Sequence, residues 1–155
     1  MDFSLSTEQQ MLQETARRFA QTELPAHATD IENNNAPPNL VLRKRFAEMG
    51  FMGINLPSAY GGAGLGHFEA VLILEELAKI SVAVAFPVFE ASFGPALAIA
   101  HFAPKALQQR ILPQVCSGEM VVAVSMSEPH AGTALTDLKT RGKLSGDKIT
   151  LNGSK

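Results

Sequence analysis

The sequence lacks the cysteines that a secreted protein of this size would use. Its 155 residues include one cysteine, Cys116, so no disulfide can close within the chain. Unpaired cysteines are typical of reducing compartments. The first residues also lack the basic start and apolar run of a secretory signal. We therefore expect a cytoplasmic protein.

The chain also lacks an excess of charge of one sign. Thirteen Lys and Arg stand against fifteen Asp and Glu, giving a net charge of −2. Nucleic-acid binding needs basic residues gathered on one face, whereas the clusters Arg17–Arg18 and Arg43–Arg45 are typical of solvated helix surfaces. We expect no nucleic-acid partner. The four histidines show no ligand spacing among themselves or with Cys116, so we also expect no metal site.

An uninterrupted membrane-length apolar run is missing as well. The longest candidate is Val82–Phe102, and it is broken by Pro87, Glu90, Pro95 and His101. A spanning helix needs about 20 predominantly apolar residues. The stretch instead indicates a buried core helix or a pair of helices.

Helical periodicity is abundant up to Gly118. Ser6 to Gln9 fits a capping box, which starts a helix that we expect over Thr7–Glu23 and that Pro25 helps to end. Three further helices are predicted over Leu40–Met49, over His67–Lys79 and from Pro104 to just before Gly118, the last with proline in its first turn. Gly50 occupies the position of a C-terminal cap glycine. Residues 1–118 are thus predicted to form an all-α domain.

The pattern changes to β after Gly118. Residues Met120–Val124 predict a short buried strand, and Leu138–Leu144 alternates like a half-exposed strand. Ser145–Asp147 predicts a hairpin loop with a return strand over Lys148–Asn152. The fold class is therefore α+β, with residues 119–155 beginning a β-domain.

The sequence favours a further strand beyond its last residue. Asn152-Gly153 after an alternating strand is a strong hairpin signal. Three strands with one part-buried face also make a poor domain alone. We expect these residues to be part of a longer protein.

Two motifs that could suggest chemistry have simpler interpretations. The glycine-rich segment Tyr60–Gly66 has no G-x-G-x-x-G register and no clear strand before it, so a structural turn is predicted. Glu75 and Glu76 are adjacent on a predicted helix and point in different directions, so they cannot face one substrate together.

The segment Val124–Thr133 is a better site candidate. It follows the predicted buried strand and combines hydroxyl residues with a Glu-Pro break and a small Ala-Gly pair. Backbone N–H groups freed in such a loop can hold an anionic or carbonyl-rich ligand edge. A polar strand-exit turn without a ligand is the alternative.

The segment resembles the motif that acyl-CoA dehydrogenases carry after the first strand of their middle domain. The similarity extends along the chain in order, through Phe3-x-Leu5-x-x-Glu8-Gln9, Pro57-x-x-Tyr60-Gly61-Gly62-x-Gly64-Leu65, Glu75-Glu76-Leu77-Ala78, Leu112-Pro113-x-x-x-x-Gly118-Glu119 and Gly146-Asp147-x-x-x-Leu151-Asn152-Gly153-x-Lys155. Six ordered matches are more specific than any one of them.

The resemblance implies a helical first domain, a β-barrel middle domain and a C-terminal helical domain that is absent from these residues. It also implies FAD, an acyl-CoA substrate, an acceptor such as electron-transfer flavoprotein, and a homotetramer. The family's reaction is α,β-dehydrogenation, in which a glutamate takes the α-proton and the β-hydrogen leaves as hydride to the flavin. A base must lie within hydrogen-bond reach of its proton; the matching glutamate is not among these residues, so no catalytic residue is assigned in the chain.

The resemblance also implies roles for individual residues. Val124, Ser125, Met126 and Ser127 take the positions that approach the flavin ring, through backbone groups and the Ser127 hydroxyl. Thr133 takes the position that contacts the CoA part of the substrate close to the cofactor. The residues matching the wall of the acyl-chain pocket are Phe89, Ser92, Phe93 and Gly94.

Three positions depart from the family motif. Ser127 stands for threonine and Thr133 for serine, and both keep the hydroxyl. Ala134 stands for aspartate and loses a carboxylate that could brace the loop. The third departure leaves open a related flavin chemistry, namely an oxidase, monooxygenase or desulfinase. A third interpretation, from a different class, is a non-catalytic helical binding module.

Overall fold

The computed structural model describes residues 4–155. Met1, Asp2 and Phe3 lie outside the described residues, and so does the Phe3 part of the family's opening motif. The described elements are the helices α1 Thr7–Asn34, α2 Leu40–Glu48, α3 His67–Ala78, α4 Val82–Ser92, α5 Pro95–Phe102 and α6 Lys105–Cys116, and the strands β1 Arg141–Ser145 and β2 Lys148–Asn152.

The chain divides into two compact units. The first ends at Ala123 and the second runs from Val124 to Lys155. The first unit is helical and the second holds both strands, as the α+β interpretation predicts. The division falls five residues beyond the predicted 118/119 boundary, because Met120 and Val122 pack against the helical core.

One hydrophobic core holds the helices of the first unit together. Phe19 from α1 lies at its centre, with ring centroids 5.7 Å from Phe46 and 5.5 Å from Phe51. Leu24, Leu77 and Val84 are fully buried in the same core cluster. Burial of a large apolar side chain contributes about 1.5–3 kcal/mol, so this cluster is the main source of the unit's stability.

The first helix begins as expected but ends much later. Ser6 caps α1 in a complete capping box with Gln9. The expected end near Pro25 is wrong, because α1 continues to Asn34 and ends at Asn35 in the left-handed conformation. Proline removes one helical hydrogen bond, but Pro25 is exposed while its neighbour Leu24 is buried in the core. Tertiary packing therefore carries the helix through the proline.

The next two helices confirm the sequence expectations. Helix α2 spans Leu40–Glu48 and is capped by the Asn39 side chain, which accepts a hydrogen bond from the Leu42 N–H at 2.9 Å. Gly50 follows it with φ +72°, as a C-terminal cap glycine should. Helix α3 starts at His67 and ends one residue before the expected Lys79.

The apolar stretch 82–102 is a helix pair. Its length and composition alone would suit a membrane span, but it breaks at Phe93–Gly94 into α4 and α5. Neither helix reaches the length of about 20 residues that a bilayer requires. Val84, Val88 and Ala91 of α4 belong to the core, which agrees with the core-helix interpretation.

The predicted strand over Met120–Val124 is wrong. These residues form no strand in the part of the chain that the structure describes. Met120 and Val122 are partly buried against the helical core, whereas Val121 is exposed. The burial of these residues therefore alternates as it would in a strand. A strand also needs a hydrogen-bonded neighbour, and residues 4–155 supply none there.

The hairpin that follows is confirmed, although its first strand begins at Arg141 rather than at the expected Leu138 and includes Ser145. Strands β1 and β2 pair antiparallel, with Arg141 opposite Asn152 and Ser145 opposite Lys148. Gly146 supplies the positive φ of +61° that the tight turn requires. The expected half-exposed face is wrong, because every residue of both strands is exposed.

Candidate functional site

The segment 124–133 contains a closed turn. The Glu128 N–H donates to the Ala131 carbonyl at 2.9 Å, and the Ala131 N–H donates back to the Glu128 carbonyl at 3.0 Å. Pro129 and His130 form the exposed tip, whereas the Ala131 side chain is buried. The Glu-Pro break and the small Ala-Gly pair thus make a compact turn on which the flanking hydroxyl residues are carried.

The Glu128 carboxylate braces this turn against the start of the hairpin. One oxygen accepts the Lys139 N–H at 2.7 Å and the other accepts the Thr140 N–H at 3.0 Å. The second oxygen also lies 3.1 Å from the Lys155 ammonium. The side chain is only 6% exposed, so the carboxylate is occupied by the protein itself rather than offered to a ligand.

These contacts keep Glu128 ionised. The hydrogen bond from the Lys139 N–H, followed by the interactions with Thr140, lowers the pKa of Glu128 to about 2. A carboxylate that accepts several hydrogen bonds from N–H groups is stabilised in its charged form. The brace therefore persists throughout the neutral pH range.

The residues before the turn are presented to solvent. Val124 and Met126 are large apolar side chains that are 54% and 46% exposed, and Ser125 and Ser127 are exposed as well. Within residues 4–155, the N–H groups of Val124–Ser127 donate no backbone hydrogen bond. A row of unpaired N–H donors beside a serine hydroxyl suits the carbonyl and ring-nitrogen acceptors at the edge of a flavin. The donor set therefore fits the cofactor that the sequence implies.

Thr133 and Ala134 follow the turn. Thr133 is exposed, and its hydroxyl is not used in any hydrogen bond described for residues 4–155. Ala134 leads into a short 3-10 turn, Leu135–Asp137, in which its carbonyl accepts the Asp137 N–H at 3.0 Å. Ala134 has no side-chain oxygen, and the brace described for this turn is made by Glu128. This role of Glu128 was not predicted from the sequence, where the only signal is its place beside Pro129.

The residues expected at the acyl pocket have different environments. Phe89 lines an apolar groove of about 290 Å³, together with Leu74, Ala78, Val82, Ala85 and Phe86. Ser92 is fully buried, and its hydroxyl has no hydrogen-bond partner within residues 4–155. Phe93 stacks on Phe89 with centroids 5.8 Å apart, and Gly94 forms the break before α5. Only Phe89 of these four lines the groove.

The two candidate groups lie in different units of the chain. Val124–Ser127 and Thr133 belong to the second unit, and Phe89–Gly94 belongs to the first. The residues predicted to face the flavin therefore lie with Thr133 in the second unit, and the aromatic residues of α4 lie together in the first.

The acidic residues of the helical unit have structural surroundings. Glu76 is 2% exposed and lies 3.1 Å from Arg17 of α1 and 2.9 Å from Lys79. It ties α1 to α3, so the Glu75-Glu76 pair is not a catalytic pair. Burial raises the pKa of Glu90, one of whose carboxylate oxygens has no hydrogen-bond partner within residues 4–155. No group of three or more His, Cys, Asp or Glu side chains suited to a metal ion occurs in the described part of the chain.

The glycine-rich segment is a structural turn, as expected. The Gly64 N–H donates to the Leu56 carbonyl at 3.0 Å and the Leu65 N–H donates to the Ile54 carbonyl at 2.9 Å. The N–H groups of residues 60–65 thus donate to carbonyls of residues 53–58, which leaves them unavailable to a nucleotide.

Comparison with known proteins defines the class first. The fold matches the structure of a glutaryl-coenzyme A dehydrogenase in complex with glutaryl-CoA, with a TM-score of 0.90 and 32% identity over 99% of this chain and 39% of that chain. It also matches an FAD complex of PigA, with a TM-score of 0.88 and 26% identity over 99% of this chain and 40% of that one. The architecture is thus shared with proteins that bind a CoA thioester or FAD.

Sequence similarity narrows the class to a family. The family model described as "Acyl-CoA dehydrogenase, N-terminal domain" matches residues 6–119. Isovaleryl-CoA dehydrogenase of Bos taurus mitochondria is 35% identical over 97% of this chain and 36% of its own length. The 3-sulfinopropanoyl-CoA desulfinase of Paraburkholderia xenovorans is 33% identical over 99% of this chain and 39% of its own. The chain belongs to the acyl-CoA dehydrogenase family, and it spans 36–40% of the length of the curated relatives that it matches.

Proposed function

We propose that this chain is the front part of an FAD-dependent enzyme that introduces an α,β double bond into an acyl-CoA thioester. The observation that carries the proposal is the braced segment 124–133, whose exposed N–H donors fit a flavin and whose sequence matches the family motif. FAD would supply the hydride acceptor, while the protein supplies orientation and electrostatics.

The residues of this chain would bind and orient the flavin and the thioester. The N–H groups of Val124–Ser127 and the Ser127 hydroxyl would hold the edge of the flavin ring. Thr133, at the far end of the same turn, would donate its hydroxyl to the CoA portion of the thioester. Its exposure and its unused hydroxyl support this role.

The groove beside Phe89 would receive the apolar end of the acyl group. Its lining is formed by aliphatic and aromatic side chains of α3 and α4, and an apolar lining favours an alkyl chain over a polar one. Ser92 and Gly94 would act only behind this wall, since neither lines the groove. No residue of this chain is proposed as the base that removes the α-proton.

The partners follow from the same proposal. An electron acceptor such as electron-transfer flavoprotein would reoxidise the flavin, the protein would assemble as a homotetramer, and it would work in the cytoplasm. The acceptor and the homotetramer are supported by the family resemblance, and the cytoplasmic location is supported by the lone Cys116.

The experiment that tests the proposal is anaerobic reduction of the flavin in the full-length protein by a panel of acyl-CoA thioesters, among them isovaleryl-CoA and glutaryl-CoA. We expect at least one thioester to bleach the flavin absorbance, with the matching enoyl-CoA as product. Free CoA serves as the control. A flavin that stays oxidised with every thioester would contradict the dehydrogenase activity.

Phe89→Ala in the same protein tests the acyl groove. Removing the ring enlarges the groove. We therefore expect the kcat/KM for bulkier acyl groups, relative to that for smaller ones, to rise about tenfold, the scale of discrimination that a methylene group produces in an apolar pocket. Phe102→Ala is the matched control, since Phe102 is 87% exposed and does not line the groove. An unchanged acyl preference in Phe89→Ala would remove Phe89 from the pocket.

A second candidate is a different flavin reaction on the same fold. It is favoured by the similarity to a desulfinase and by Ala134 in place of the motif's aspartate. Oxygen consumption without an added acceptor would indicate an oxidase or monooxygenase, and sulfite release from a sulfinoacyl-CoA would indicate a desulfinase. A protein that binds no flavin would leave the non-catalytic helical binding module.

A further inference from the structure

A lysine in the second unit fixes one peptide group of the flavin-facing segment. The Lys155 ammonium donates to the Met126 carbonyl at 2.8 Å and lies 3.1 Å from a carboxylate oxygen of Glu128. We call this arrangement of Lys155, Glu128 and Met126 the Lys155 clasp. It connects the last residue of the hairpin region to the segment that precedes the turn.

The clasp holds a backbone group that has no other partner. Within residues 4–155, the Met126 carbonyl is the one backbone group of Val124–Ser127 for which a hydrogen bond is described, and its donor is Lys155. The carboxylate that completes the clasp is itself fixed, because it accepts the N–H groups of Lys139 and Thr140. The Lys155 ammonium is therefore paired with a carboxylate whose position is fixed by two backbone N–H groups.

Fixing this carbonyl also fixes the N–H of the next residue. The peptide unit is planar and trans, so its C=O and N–H point in opposite directions. With the Met126 carbonyl turned toward Lys155, the Ser127 N–H is directed away from the clasp. Ser127 is exposed, so its N–H and its hydroxyl are both accessible to a ligand.

We propose that Lys155 is a positioning residue for the flavin: it orients the Met126–Ser127 peptide so that the Ser127 N–H donates to an acceptor atom of the bound cofactor. The proposal rests on the proposed function, since it takes FAD as the ligand of Val124–Ser127. Lys155 acts through the peptide group and does not itself contact the cofactor.

The charges around the clasp support a specific need for a cation. The pKa of Glu128 is lowered to about 2, so the carboxylate is ionised at neutral pH and, being only 6% exposed, would lack a countercharge without Lys155. A neutral side chain at position 155 leaves this anion near the Met126 carbonyl, and the two would repel. Arginine keeps the charge and two or more donors, so it should preserve the clasp.

The test compares three variants of the full-length protein. Lys155→Met removes the cation and keeps the length, Lys155→Arg restores the charge, and Lys148→Met makes the same charge change at an exposed β2 position with no ion pair described among residues 4–155. FAD affinity is measured by titrating the apo-protein, and the reduction potential of the bound flavin is measured on the loaded protein. Hydrogen exchange at the Ala131 and Thr140 amides is measured without flavin.

We expect Lys155→Met to weaken FAD binding about tenfold or more, the usual effect of losing a charge-assisted hydrogen bond, and to move the flavin potential. Lys155→Arg should bind FAD nearly as tightly as the parent, and Lys148→Met should not change the affinity. In the apo-protein, Lys155→Met should speed exchange at both amides. These results together would support the positioning role.

Other outcomes overturn it. Unchanged FAD affinity and potential in Lys155→Met, with faster amide exchange, would make the clasp a structural contact only. An equal loss in Lys155→Met and Lys148→Met would point to net charge instead of position. Failure of the parent protein to bind FAD would overturn the proposed function and with it the flavin role of Lys155, while the exchange rates would still show whether the ion pair orders the turn.

Discussion

At the scale of single residues, Glu128 makes the contacts that brace the motif segment, whereas the neighbouring hydroxyl residues do not. The motif drew attention to the hydroxyls of Ser127 and Thr133, and the structure leaves both exposed. Glu128 instead turns inward and holds Lys139, Thr140 and Lys155. Sequence spacing cannot foresee this, because the partners lie 11 to 27 positions away in the chain and only the fold brings them together.

The titration of Glu128 gives a pH-dependent prediction. Its pKa is about 2 in the folded chain, against an ordinary value of 4.5. A lowered pKa means that the brace stabilises the fold above the ordinary value and that this contribution is lost as the pH falls through the folded pKa. We therefore expect the protection of the Lys139 and Thr140 amides, taken relative to the intrinsic exchange rate at each pH, to fall as the pH is lowered from about 4.5 to 2. The measurement is hydrogen exchange against pH.

Glu128→Gln is the matched control for that titration. Glutamine keeps the shape of the side chain and cannot ionise. In this variant the Lys139 and Thr140 amides should exchange faster at neutral pH, and their protection should no longer change between about pH 4.5 and pH 2. A Gln variant that follows the same pH curve as the parent would assign the titration to another group.

Two glycines with almost the same φ give a second residue-scale prediction. Gly118 has φ +75°, and a Cβ there would lie 2.5 Å from the Arg43 carbonyl oxygen of α2. Gly50 has φ +72° and nothing within 4 Å of the same position. Gly50→Ala should cost about 1–2 kcal/mol for the left-handed backbone alone. Gly118→Ala should cost about 1–3 kcal/mol more, because backbone cannot move aside as a side chain can.

Denaturant unfolding of both alanine variants provides the measurement. Equal losses of unfolding free energy would show that the close contact of Gly118 with α2 has no energetic consequence. A larger loss in Gly50→Ala would contradict the geometry described for both glycines.

At the scale of elements, the local sequence pattern predicted where the helices begin more accurately than where α1 ends. The Ser6 capping box and the Gly50 cap are satisfied by neighbouring residues, so the sequence alone predicts them. Pro25 was expected to end α1, but the buried Leu24 before it and the partly buried Ala28 and Ile31 after it pack against the core and hold the helix together. The run 120–124 shows the same limit, since a strand depends on a partner that the local pattern does not contain.

Pro25 gives a prediction about α1. A proline inside a helix costs about 3 kcal/mol relative to alanine, and it recovers a part of that by stiffening the unfolded chain. Because α1 is continuous through an exposed Pro25, we expect Pro25→Ala to raise the free energy of unfolding by about 1–3 kcal/mol. Thermal or urea unfolding measures the change.

Pro104→Ala is the control for that substitution. Pro104 is the N-cap residue of α6, where no helical N–H is required. Its replacement should leave stability nearly unchanged or lower it slightly. A gain as large as that of Pro25→Ala would mean that the stabilisation does not come from restoring the interior of α1.

At the scale of the whole molecule, the two units differ in how well they can stand alone. The first has a core built from α1 to α6, whereas both strands of the second are exposed along their entire length. The sequence predicted this contrast, because helical periodicity ends near Gly118 and an isolated hairpin is marginal in water. What the sequence could not predict is the packing of Met120 and Val122 on the helices, which moves the division to Ala123.

The contrast can be tested with two separate chains. We expect residues 4–123 to fold cooperatively with a helical circular dichroism spectrum, and residues 124–155 to show no cooperative unfolding transition. A cooperative transition in the second chain would contradict the description of its strands as an exposed hairpin.

The central claim is that Val124–Ser127 forms the flavin-binding edge of an acyl-CoA dehydrogenase family member. Its most direct test is amide hydrogen exchange of the full-length protein with and without FAD. We predict that the amides of Val124 to Ser127 become protected when FAD binds, while the exposed amides of the β1–β2 turn at Gly146 and Asp147 do not change. FAD binding that leaves the amides of Val124–Ser127 unprotected would contradict the claim.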